Sequence, residues 1–131
     1  MSKFYVEYHR RRACQPIVEQ RTLAKYAEME GTDANAVSEV LTSLDRCEYY
    51  IKNHEGVTIG SFFLTSMLDA HHGKIAVLTA HWIADGFRNE REVHRAILWY
   101  VKRFCTTLGL RKYQRTVNLS SSRQLLITKE V

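Results

Sequence analysis

Histidine is the side chain whose ordinary titration range brackets neutral pH. The chain carries six, His9, His54, His71, His72, His81 and His94. His81 sits at the end of an apolar run with Asp85 four residues on, which makes the two the candidate proton-transfer pair. A histidine packed for purely structural reasons is the other reading of His81. His71 and His72 are adjacent at a turn, so their side chains diverge if the segment is extended. There is no H-E-x-x-H, no Cys/His finger spacing and no deaminase signature, so no metal site is expected. A Walker loop and a Gly-x-Ser-x-Gly elbow are also missing. Cys14, Cys47 and Cys105 lie far apart and form no C-x-x-C pair, the pattern of free, mostly buried thiols in a reducing compartment.

Charge offers a second chemistry. The formal net charge is +5, and basic residues gather at His9-Arg10-Arg11-Arg12, at Lys102-Arg103, and at Arg111-Lys112 with Arg115. Such a surface suits nucleic acid, an acidic protein or a polyphosphate-bearing cofactor, and it is also what a plain solvated face looks like. Tyr5, Tyr8, Tyr49, Tyr50 and Phe62 could stack bases beside it. Cross-strand packing explains strand aromatics equally well. No RNP-type motif accompanies them. Trp82 and Trp99 read as core or interface anchors.

These residues need a scaffold. A length of 131 residues, 45% hydrophobic and 25% charged, fits one globular domain over 1–131. No apolar run approaches the roughly 18 residues of a membrane span, and with no long apolar stretch over 1–7 a secretory leader is not expected. A cytoplasmic protein without a membrane partner is expected.

Alternation over 4–9 predicts a first strand. Pro16 marks a helix start, and Gly31 its stop. Residues 32–35 offer caps for a second helix, in which Val37, Val40, Leu41 and Leu44 form one stripe. Residues 48–52 and 57–64 predict a hairpin about an Asn53-His54-Glu55-Gly56 turn. Gly60 within it suggests a bulge or a close backbone approach. Residues 74–83 predict a largely apolar central strand. The strongest helix spans 90–108, with Val93, Ala96, Ile97, Tyr100, Val101, Phe104 and Leu108 on one face and Gly109 at its end. A strand follows within 110–119. Ser120-Ser121-Ser122 then offers caps for a short last helix carrying Leu125, Leu126 and Ile127. The fold class is α/β (α+β), in the order β-α-α-β-β-β-α-β-α.

That order resembles the GNAT N-acetyltransferase superfamily over nearly the whole chain. Asn53-His54-Glu55-Gly56-Val57-Thr58-Ile59-Gly60 is similar to the superfamily's second hairpin, and Ile83-Ala84-Asp85-Gly86-Phe87-Arg88 to the exit from its fourth strand. Asn118 stands where an asparagine often follows the fifth strand. The resemblance implies a mixed, mostly antiparallel sheet flanked by helices. It also implies acetyl-CoA as cofactor, its pyrophosphate at the start of the 90–108 helix. The implied cofactor-binding residues are Ile83, Phe87, Arg88, Asn89, Arg91, Val93 and Asn118.

The chain departs from the superfamily in three places. Arg88 keeps the first position of the phosphate loop, but Arg91 and Val93 replace small residues and would crowd the anion. Leu125 stands where a tyrosine would protonate the leaving thiolate. The closing hairpin is expected to be absent, which would leave a sheet edge open to a protein partner or a second copy. These departures favour a degenerate scaffold that binds a virion or host protein. In layout the chain distantly resembles the small GNAT-like internal virion proteins of short-tailed bacteriophages, which would place it in the host cytoplasm or the virion. The alternatives are an acetyl-CoA-dependent N-acetyltransferase acting on an amine, with His81 or Asp85 as base, and a nucleic-acid-binding module.

Overall fold

A computed structural model describes residues 3–120 and 123–131, leaving out the side chains of 116–120 and 123–125. The elements are β1 Phe4–Arg11, α1 Gln20–Glu30, α2 Ala34–Thr42, β2 Arg46–Asn53, β3 Thr58–Asp69, β4 Gly73–Ile83, α3 Arg91–Leu108, β5 Lys112–Ser120 and β6 Arg123–Glu130. They form one six-stranded sheet in sequential order. Every neighbouring pair is antiparallel except β4 with β5. The parallel pair is the one that requires a crossover, and α3 supplies it.

Local chemistry ends the helices where expected. Gly31 and Gly109 adopt left-handed backbone at the ends of α1 and α3, a conformation costly for any residue with a Cβ. Asp33 caps α2 by accepting the Asn35 N–H at 3.0 Å. α3 buries Val93, Ile97, Val101 and Cys105 on one side of the sheet, against Tyr49, Ile51, Phe62, Leu64, Ala76 and Leu78. Each such aliphatic side chain contributes about 1.5–3 kcal/mol of transfer free energy. On the other side, α1 and α2 lay Leu23 and Leu41 over Phe63 and Ala80. Phe62 and Phe63, adjacent in β3, thus serve opposite cores, as a period of two demands.

Three expectations change. α1 begins at Gln20 and not at Pro16. The N–H groups of Val18 and Glu19 are held instead by Glu48 Oε1 at 2.9 Å and the Tyr50 hydroxyl at 3.1 Å, which tie this stretch to β2 ahead of the helix. The expected last helix is strand β6, so the element order closes with two strands. β6 pairs antiparallel with β5, with Val117 opposite Leu125 and Arg115 opposite Ile127. One closing strand is therefore present where none was expected, and no separate two-stranded hairpin follows β5 among the described residues. The edge of β5 is covered by β6, and the free edges of the sheet are β1 and β6. The physical reason is that Leu125-Leu126-Ile127 is too short for periodicity to separate helix from strand, and unpaired β5 backbone decides it.

The Gly60 expectation holds. A Cβ there would lie 3.2 Å from both Ile51 Cδ1 and the Trp82 carbonyl oxygen.

Candidate functional site

The β4–β5 ladder is short. Ala76, Val77 and Leu78 pair with Tyr113, Gln114 and Arg115, and there the parallel pairing stops. β4 runs on to Ile83 and β5 to Ser120, so the two strands part in mid-sheet. Where they part lies a cavity of about 390 Å³. Its wall takes Thr79, His81 and Ile83 from β4, Tyr26 and Glu30 from α1, and Arg115 from β5.

A bulge in β4 re-aims the strand at this point. Between Ser61↔Trp82 and Phe63↔Thr79, the single residue Phe62 faces two, Ala80 and His81. Ala80 takes a positive φ of 49°, the left-handed region that an L residue enters at a cost of roughly 1–2 kcal/mol. The extra residue switches the alternation. Ala76 and Leu78 face the α3 core, Ala80 faces the α1–α2 core, and Ile83 returns to the α3 side. His81, two residues before Ile83, shares that side.

His81 Nε2 is buried and has no hydrogen-bond partner among the described residues. Burial pushes its pKa down to about 4, with His94 and Arg115 adding to the effect through their charge. The imidazole is therefore neutral at physiological pH, with a lone pair or a single N–H turned to the cavity wall. Arg115 Nε is likewise buried without a partner among the described residues. Buried polar atoms normally find partners. Two orphans at one cavity mark a place built for polar atoms other than the chain's own.

Asp85 does not join His81. It is highly exposed, lies outside the cavity wall, and pairs with Arg88 Nη2 at 2.9 Å. Arg88 also donates from Nε to the Ile83 carbonyl at 3.2 Å, which folds the 84–90 loop back on the end of β4. His94 Nε2 donates to the Arg88 carbonyl, and the Phe87 N–H to the Ala84 carbonyl, tightening the same loop. Phe87 packs edge-on to Phe4, with ring centroids 5.9 Å apart. Asn89 is exposed.

At the start of α3, Glu90 takes the N-cap position without a side-chain cap bond. Leading N–H groups of a helix have no intrahelical partner and favour anions. Arg91 is exposed at this end. Val93, expected to crowd an anion, is fully buried in the α3 core, so its side chain leaves the helix start clear. Asn118 lies in β5 opposite Gln124, and its side chain and that of Leu125 lie outside the described residues. Ser121 and Ser122 are also outside them.

The sequence pointed to His81, Ile83 and Arg88, which the fold brings to one cavity, but not to Tyr26 or Glu30, and it offered His94 and Arg115 no place beside His81. No local motif carries those four. Burial keeps the Tyr26 phenol protonated by raising its pKa, with Glu30 contributing. Among the described residues no group of three or more His, Cys, Asp or Glu is placed to hold a metal. No helix among them is long and apolar enough to cross a membrane.

No protein-family model matches the chain, and no curated protein matches it. Solved structures do. A Pyrococcus furiosus protein described as an acetyl transferase superposes with a TM-score of 0.70 at 13% identity, over 98% of this chain and 99% of that one. AAC(6')-Iy, solved with the bisubstrate analogue CoA-S-monomethyl-acetylneamine, gives a TM-score of 0.63 at 15% identity over 90% of this chain and 83% of its own. A GNAT family acetyltransferase from Elizabethkingia anophelis, with acetyl-CoA bound, gives 0.59 at 18% identity over 89% and 68%. The chain has the GNAT fold, and identities this low establish the fold alone.

Proposed function

We propose that the protein is an acetyl-CoA-dependent N-acetyltransferase acting on an amine. One observation carries the reading. β4 and β5 part beyond Leu78 and Arg115, and the neutral, unpartnered His81 Nε2 sits at the resulting cavity. An acyl thioester reaching between the strands would meet that nitrogen. Neighbours of this fold solved with acetyl-CoA or a CoA-bearing analogue support the donor.

The cofactor supplies an acetyl thioester. At the cavity its carbonyl carbon would accept the amine nitrogen, an N–C bond replacing the C–S bond of a thiolate leaving group. Attack makes the nitrogen far more acidic, and its proton passes to His81 Nε2. Tyr26, kept protonated by burial, offers its O–H as a hydrogen bond to the departing thiolate. The glycines that let backbone approach a pyrophosphate are missing from 88–93, so exposed Arg91 and Arg95 supply charge there alongside the helix N-terminus.

Calorimetric titration with acetyl-CoA tests the reading, followed by mass-spectrometric detection of acetylated amines. Micromolar binding, with kcat falling roughly 10²- to 10⁴-fold in His81→Ala at little change in KM, is expected. No binding at millimolar acetyl-CoA would overturn it. The second reading, a reused scaffold that recognises a protein, rests on the altered 88–93 loop, and the same titration separates the two.

A further inference from the structure

A second, larger groove lies away from the strand opening. Its volume is about 1230 Å³, and it runs along the C-terminal half of α3 beside the ends of β1 and β2. Tyr8 and Arg10 of β1 face Tyr49 and Cys47 of β2 across the ladder, and all four line it. Tyr100 and Arg103 of α3 form the opposite wall.

The aromatic residues form one connected stack from core to surface. Tyr49 stacks on buried Phe62 at 4.6 Å with planes 1° apart. Tyr8 stacks on Tyr49 at 6.0 Å, Tyr100 packs at 5.4 Å from Tyr49, and Trp99 packs edge-on to Tyr100 at 4.8 Å. The chain of rings is anchored in the core and reaches the surface at Tyr8, which is 58% exposed in the groove wall, and at Trp99, which lies outside that wall under Arg103 at 5.3 Å. Tyr8, held between Tyr49 and Tyr100 and still exposed, is the ring of the groove that can take a flat ligand.

Much of the charge beside the stack lies outside ion pairs, with Arg103 resting on Trp99. Of the guanidinium groups, Arg46 is consumed by buried Glu48, and Arg11 by the Pro16 carbonyl at 2.7 Å. Arg10, Arg12 and Arg103 are exposed, and no carboxylate among the described residues pairs with them. Asp45 is the one acidic residue in the wall, and it accepts the Ala13 N–H at 2.8 Å.

From these observations we infer that the groove binds single-stranded nucleic acid, with a base on Tyr8 and phosphates on Arg10, Arg12 and Arg103. An exposed ring beside guanidinium groups that no carboxylate pairs matches the base and phosphates of a strand. A second copy fits less well. An isologous contact here would set the same three arginines against themselves. An acidic polypeptide would satisfy the charges and leave the ring faces without a flat partner.

The test is fluorescence anisotropy of a labelled oligothymidylate of about 12 nucleotides against increasing salt, with polyglutamate and a duplex as competitors. Single strands should bind with a log–log salt slope of about −2, near −0.7 for each of three phosphate contacts. Arg10→Ala with Arg103→Ala should flatten that slope by about 1.4. Tyr8→Ala should weaken binding roughly 5- to 100-fold at unchanged slope, and Tyr8→Phe should restore most of it. Both positions are exposed, and a thermal melt monitored by circular dichroism reads the fold separately. A salt-independent affinity would overturn the inference. So would polyglutamate or duplex competing as well as the single strand with Tyr8→Ala without effect.

Discussion

Replacing His81 by glutamine should change how stability depends on acid while leaving it nearly unchanged at neutral pH. The folded-state pKa of His81 is pushed down to about 4 from an ordinary value of 6.5. Between those values the unfolded chain binds a proton that the folded chain refuses. Stability therefore falls as pH drops through 6.5, at up to about 1.4 kcal/mol per pH unit, and levels off below 4. Relative to pH 8, the loss from this one group is about 2 kcal/mol at pH 5 and about 3 kcal/mol once the folded-state pKa is passed. Its cause is geometric. The β4 bulge turns the ring to a cavity where Nε2 has no acceptor among the described residues, and Arg115 stands nearby with a fixed positive charge. The assay is urea unfolding of wild type and His81→Gln at pH 8, 6 and 5. The gap between the two proteins should shift by about 2 kcal/mol from pH 8 to pH 5, against the wild type. Parallel pH dependences would refute the buried neutral imidazole, and with it the proton acceptor on which the transferase reading depends.

Two further perturbations probe the scaffold around the site. Arg46→Met should cost about 3–5 kcal/mol in the same urea experiment, because it leaves the fully buried Glu48 without its partner at 2.8 Å. Adding Glu48→Leu should recover only part of that, since the Val18 N–H and the Tyr50 hydroxyl then lose their acceptor. Gly60→Ala should lower the unfolding midpoint by an amount equivalent to roughly 1–3 kcal/mol, as its Cβ would press on Ile51 and the Trp82 carbonyl; a neutral result would mean that β3 and β4 can spread there.

Much of the architecture was legible in single segments. The α3 stripe through Val93, Ile97 and Val101, the glycine stops at Gly31 and Gly109, and the Asp33 cap each act within a few residues, so local sequence contains their cause. Cys105 completes the α3 face and reads as a small hydrophobe only once its burial is seen. The resemblance to the GNAT superfamily rested on the order of such segments, and the fold of the solved neighbours agrees with it.

What decided the site was pairing between distant segments. β6 is a strand because β5 offers it unpaired backbone, whereas Leu125-Leu126-Ile127 alone fits helix or strand. The β4 bulge exists only against Phe62, and it alone turns His81 toward α3. Val93 could be judged an obstacle from its place in a motif, yet burial directs its side chain into the core. His81 itself, the residue from which the sequence reading began, was identified by type and position. Its neutrality was settled by desolvation beside His94 and Arg115, contributed by two other elements of the fold.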